Sequence, residues 1–180
     1  MTVEAARSAM LAAVRPLETV RLPLGEALGR VLAEDIRAVR DQPPFTNSSM
    51  DGWAVRAADA PGRLAIVGES AAGHGFEGSL SPGQAVRIFT GAALPEGADA
   101  VVIQEDARRD GDAVEVPAAA AGDNVRRAGR DFRAGDRLLP KGLRLDPWRL
   151  SLCASAGRDR VGVIRRPRVS IVSTGEEVVE

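Results

Sequence analysis

Four short segments carry side chains able to do chemistry. Thr46-Asn-Ser-Ser-Met-Asp-Gly-Trp-Ala54 sets hydroxyl, amide and carboxylate groups between two aromatic residues, Phe45 and Trp53. Such a run can form the wall of a binding site, and its Asp51-Gly52 pair can equally make a hairpin turn. In Arg87-Ile-Phe-Thr-Gly-Ala-Ala-Leu-Pro-Glu-Gly97 an apolar strand runs into Thr90-Gly91. The hydroxyl and neighbouring amides there could face an anion, or simply end a strand. Asn124-Val-Arg-Arg-Ala-Gly-Arg-Asp131 groups arginines and an acid around Gly129. A phosphate or metal-phosphate site needs this chemistry, and a charged surface turn would look the same. Finally, Ser173-Thr-Gly-Glu-Glu177 follows an apolar strand pattern, the position at which open α/β sheets bind ligands.

Other residues attract less weight. His74 lies among Gly73, Gly75 and Gly78 without a second histidine or cysteine nearby, which argues against zinc. Cys153 sits among apolar neighbours in a helical pattern, where packing is the expected role. The glycines from 68 to 78 lack dinucleotide-binding spacing.

The elements that must hold these segments follow from periodicity. Val3, Ala6, Met10 and Val14 recur at near-helical spacing until Pro16, which predicts an amphipathic first helix that packs or dimerises. Short strands around a helical turn are expected from Thr19 to Val39. Pro43 and Pro44 remove two backbone donors and begin a new unit. Strands near 63–68, 84–89, 100–105 and 112–117, separated by Gly- and Pro-containing turns, suggest a small β-sandwich or barrel. Asp146-Pro147 reads as an N-cap and first turn, with Gly157 closing the helix. Arg168-Val-Ser-Ile-Val-Ser-Thr174 reads as a strand of the kind buried in a parallel sheet. Such a strand needs partners and covering helices, so a truncated domain is expected.

Composition narrows the function classes. With 180 residues, 44% hydrophobic, and 24 basic against 25 acidic side chains, the chain is that of a globular protein. A net charge of −1 gives no bulk attraction to nucleic acid or anionic membrane. Nearly all the positive charge is arginine, Lys141 being the single lysine. One cysteine cannot form an internal disulfide, and no apolar run approaches the ~20 residues of a membrane span. The N-terminus lacks the apolar core of a signal peptide, so a cytoplasmic location is expected.

The four segments, in this order and spacing, resemble the molybdopterin molybdotransferase family, MoeA and the gephyrin E domain, and the resemblance runs the whole chain. It implies a multi-domain protein of mixed α and β structure. Residues 1–43 and 132–166 would form an elongated, dimerising domain of helix and strand. Residues 44–131 would form a small inserted β-rich domain, and 167–180 the first strand of a truncated α/β molybdopterin-binding domain. The implied reaction inserts molybdate into adenylylated molybdopterin and releases AMP, aided by a divalent cation such as Mg2+. Matching positions imply catalytic roles for Asp51, Thr90, Asp131 and Glu177, with Asp51 and Glu177 linked to the metal. Asn47, Ser48, Gly91, Thr174 and Gly175 would contact the pterin substrate. The site would form between two subunits of a homodimer, with the molybdopterin adenylyltransferase as a further partner and neither nucleic acid nor membrane involved. Family members usually carry glutamate where Arg130 stands and tyrosine where Trp53 stands. The chain alone is expected to have no turnover. Two other readings stay open: a non-catalytic dimerisation or scaffold module, and a small nucleotide- or anion-binding module.

Overall fold

The computed structural model describes residues 1–172; Ser173, Thr174, Gly175 and Glu177 lie outside the described residues. The described part is mostly β, with two α-helices. Contacts divide the chain into two compact units, Met1–Ala38 with Arg137–Glu180, and Val39–Asp136.

In the first unit, α1 (Val3–Ala12) starts where the Thr2 hydroxyl accepts a bond from the Ala5 amide at 3.2 Å. None of its residues is buried; Val3, Met10 and Leu11 all face solvent. The strands β1 (Thr19–Pro23) and β2 (Ile36–Arg37) follow, β1 running into a single 3-10 turn. Eight strands of the second unit intervene, numbered β3 to β10. The chain then returns with β11 (Arg137–Leu139), α2 (Pro147–Ser155) and β12 (Arg160–Ile164). β1 pairs antiparallel with β12, from Thr19↔Ile164 to Pro23↔Arg160, and β2 pairs with β11. Asp146 caps α2 through Oδ1, which accepts from the Arg149 amide at 2.8 Å, and Pro147 occupies the first turn. Leu32, Ile36, Leu145, Cys153, Val161 and Val163 pack the core. Burial pushes the Cys153 thiol pKa up, as fits a packing cysteine.

The second unit contains β3 (Asn47–Ser48), β4 (Gly52–Val55), β5 (Gly62–Ser70), β6 (Gln84–Ile88), β7 (Ala100–Ile103), β8 (Arg108–Asp110), β9 (Ala113–Val116) and β10 (Val125–Arg126). The strands expected near 63, 84, 100 and 112 are β5, β6, β7 and β9. They join one sheet of order β7-β4-β6-β5-β9-β8, with β5 and β6 parallel and the other pairs antiparallel. This order has two ends, so the strands form neither the two stacked sheets nor the closed barrel that their spacing suggested. Each face of the sheet carries its own apolar cluster. Trp53, Val55, Ala85, Val102 and Val114 pack on one, and Ala54, Val86, Ile88 and Val101 on the other, as period-two alternation requires. A separate two-stranded ladder pairs β3 with β10, Ser48 facing Val125 and Asn47 facing Arg126.

The strand expected over 168–174 lies partly outside the described residues. Residues 168–172, the described part of the strand expected over 168–174, form no ladder and are exposed. Among the described residues no strand pairs with them, and an apolar run becomes a strand only with a neighbour to take its backbone bonds.

Candidate active site

Asp51 precedes β4 and Thr90 follows β6, two neighbouring antiparallel strands. Gly52↔Ile88 pairing therefore brings the residue before one strand to the residues after the other. The Thr90 amide donates to Asp51 Oδ1 at 2.7 Å, and the Thr90 hydroxyl donates to the same oxygen at 2.8 Å. Oδ2 accepts no hydrogen bond from the described residues. Asp51 is partly exposed and Thr90 exposed, so the carboxylate is anchored at one oxygen and open at the other. The Thr90 amide first, and its hydroxyl second, hold the Asp51 pKa below the ordinary carboxylate value; desolvation opposes them, and the nearby charge of Arg87 adds a smaller lowering. The group is an anion at neutral pH.

Asp51-Gly52 is not a hairpin turn. Gly52 enters β4, and its backbone lies outside the left-handed region. The glycine is required by crowding: a Cβ at this position would sit 2.0 Å from the Val102 carbonyl oxygen. Nor are the amides after β6 free for an anion from outside the chain. Those of Thr90, Gly91 and Ala92 bond to Asp51 Oδ1, the Ser48 carbonyl and the Phe89 carbonyl. What Thr90-Gly91 supplies is a mount for the carboxylate.

Ser48 and Asn47 lie on β3. The Ser48 side chain is 1% exposed, and its hydroxyl donates to the Met50 carbonyl at 2.6 Å while accepting from the Met50 amide at 3.2 Å. It shapes the turn leading to Asp51. Asn47 bridges to Ala93 and faces Arg126 on β10. The Arg126 guanidinium in turn holds both Asp131 oxygens, at 2.6 and 2.5 Å, while the Arg126 backbone pairs with that of Asn47. Asn47, Ser48, Asp51, Thr90, Gly91 and Asp131 all belong to the second unit.

Residues 1–157 match the sequence profile of the MoeA N-terminal region, domains I and II. The chain belongs to the MoeA family. It is similar to the molybdopterin molybdenumtransferases of Haemophilus influenzae, with 41% identity over all of this chain and 46% of that protein, and of a Nostoc species, with 39% identity over 90% of this chain and 39% of that protein. The crystal structure of the molybdopterin biosynthesis MoeA protein from Pyrococcus horikoshii OT3 superposes with a TM-score of 0.82 at 35% identity, over 89% of this chain and 45% of that one. The chain thus spans less than half the length of these MoeA relatives.

Two residues beside Asp51, Arg87 and Gln104, had no site role in the sequence expectations. Arg87 donates to the Gly52 carbonyl at 2.9 Å and to Gln104 Oε1 at 2.5 Å, and its guanidinium lies over the Trp53 and Phe89 rings at 5.4 and 4.8 Å. The Gln104 amide donates to the Asp51 carbonyl. An arginine within an apolar strand pattern, two residues from aromatic Phe89, was the available signal for Arg87. Gln104 becomes visible only once the strand register is known.

Proposed function

We propose that this chain forms one wall of the active site of a molybdopterin molybdenumtransferase, which inserts molybdate into adenylylated molybdopterin and releases AMP. The observation that carries the reading is the Asp51 carboxylate, ionised, fixed at Oδ1 by Thr90 and without a hydrogen-bond partner at Oδ2 among the described residues. Molybdate and a phosphoanhydride are both anions, so a carboxylate repels them directly. Its useful work is to hold a divalent cation and to orient water at the anhydride.

The donor set suits Mg2+, which takes one or two carboxylates, keeps several waters and shares substrate phosphates. Among the described residues no group of three His, Cys, Asp or Glu could cage a metal by itself, in keeping with that mode. Asp51 Oδ2, with Glu177, would hold the ion; when bound, it would neutralise charge on the phosphoanhydride. Thr90 keeps the carboxylate from rotating away, and Gly91, whose amide bonds to the Ser48 carbonyl, leaves room beside it. Asp131 holds the guanidinium of Arg126, the ladder partner of Asn47 on β10. Thr174 and Gly175 would meet the pterin.

The exposure of Thr90, Gly91 and Asp131, and in part of Asp51, supports a site completed by other parts of the protein, the α/β domain and a second subunit, in the domain division set out from the resemblance. An α1 without buried residues supports the homodimer. A cytoplasmic location and contact with the molybdopterin adenylyltransferase belong to the same proposal; no described helix is long and apolar enough to cross a membrane. The test is AMP release from adenylylated molybdopterin by the full-length protein. Release that depends on added molybdate is the expected result, and AMP independent of molybdate contradicts the assignment. The 180-residue chain alone is expected to release none.

A further inference from the structure

We propose that Arg87 is the positioning residue that fixes Asp51, tying together the three segments that converge on that residue. The inference rests on the role given to Asp51 above. Those segments are Asp51–Trp53, Arg87–Thr90 and Ile103–Gln104, and Arg87 touches each. Its NH1 donates to the carbonyl of Gly52, the residue next to Asp51. Its NH2 donates to Gln104 Oε1, while the Gln104 backbone amide donates to the Asp51 carbonyl at 3.0 Å. Its guanidinium lies over the ring of Trp53, its cross-strand partner, and over that of Phe89, the residue preceding Thr90.

These contacts divide the labour. Thr90 fixes the carboxylate group, and Arg87 with Gln104 fixes the peptide from which it projects. Arg87 forms no ion pair with a carboxylate among the described residues, so its planar fork is free to serve carbonyl oxygens. Lysine has the charge but no fork, and cannot reach Gly52 and Gln104 together while lying flat on two rings. Misplacing a catalytic group by about 1 Å is enough to lower a rate by roughly a hundredfold, so this rigidity bears on turnover.

The test compares Arg87→Lys, Gln104→Ala and wild type. Amide hydrogen exchange at Thr90 and Gln104 is read in the 180-residue chain, and steady-state AMP release in the full-length enzyme. Both variants are expected to speed exchange at these two amides by roughly tenfold, as expected for loss of a charge-assisted bond, while the β5–β9 amides stay protected. They are also expected to lower kcat with little change in KM. Unchanged exchange at Thr90 in Arg87→Lys overturns the proposal. So does a raised KM with unchanged kcat and exchange, which would make Arg87 a substrate contact. Gln104→Ala leaves the stacked guanidinium in place and keeps the test decisive if Arg87→Lys folds poorly. An Asp51→Asn control separates the two readings: faster exchange in Arg87→Lys with full activity in Asp51→Asn retains the positioning and rejects the site role of Asp51.

Discussion

At the scale of single residues, the site is a carboxylate held by its neighbours. Folded, Asp51 has a pKa below the ordinary value, chiefly through the Thr90 amide and then its hydroxyl. A depressed folded pKa stabilises the fold above the ordinary value, and that contribution disappears as pH falls through the folded value. Thr90→Val keeps the amide and removes the hydroxyl, so the Asp51 pKa should rise part of the way towards that of a free aspartate. Carboxyl-carbon NMR titration measures this, and an unmoved midpoint would show that the hydroxyl bond is not formed in solution. Asp51 and Thr90 were legible in the sequence as polar residues at strand ends. Their contact was not, because it depends on a register that pairs Gly52 with Ile88 across 35 intervening positions in the chain.

At the scale of elements, β4 is central: it lies between β6 and β7 and is buried at all four residues. Gly52→Ala should destabilise the protein by about 3 kcal/mol, because the added methyl meets the backbone of Val102, which cannot swing aside as a side chain would. Gly25→Ala is the matched control. No atom lies within 4 Å of a Cβ there, and the change should cost less than about 0.5 kcal/mol. Urea denaturation of the two variants checks the contrast, and equal midpoints would contradict it. Asp146→Ala should cost about 1 kcal/mol by removing the cap of α2. This cap and both helices were legible because helix signals are local: a capping residue, a first-turn proline, a closing glycine. Strand positions were legible from their apolar runs, but the open mixed sheet was not. A parallel β5–β6 pair and a β4 seated between β6 and β7 leave no trace in local turn chemistry.

At the scale of the whole molecule, the chain matches domains I and II of the MoeA N-terminal region over residues 1–157. The apolar residues of α1 are unburied in the described chain, so Met10→Asp should leave its thermal stability nearly unchanged. If α1 dimerises as proposed, the same change should shift the full-length protein towards monomer in sedimentation analysis; an intact dimer would assign the interface elsewhere. The central claim is that the Asp51 carboxylate serves molybdate insertion, and AMP release by the full-length protein carrying Asp51→Asn tests it most directly. Asparagine preserves size and can still accept from Thr90, but it has no charge for a cation. The account predicts a fall of roughly a hundredfold or more in kcat in a normally folded protein. Wild-type AMP release by that variant would contradict it.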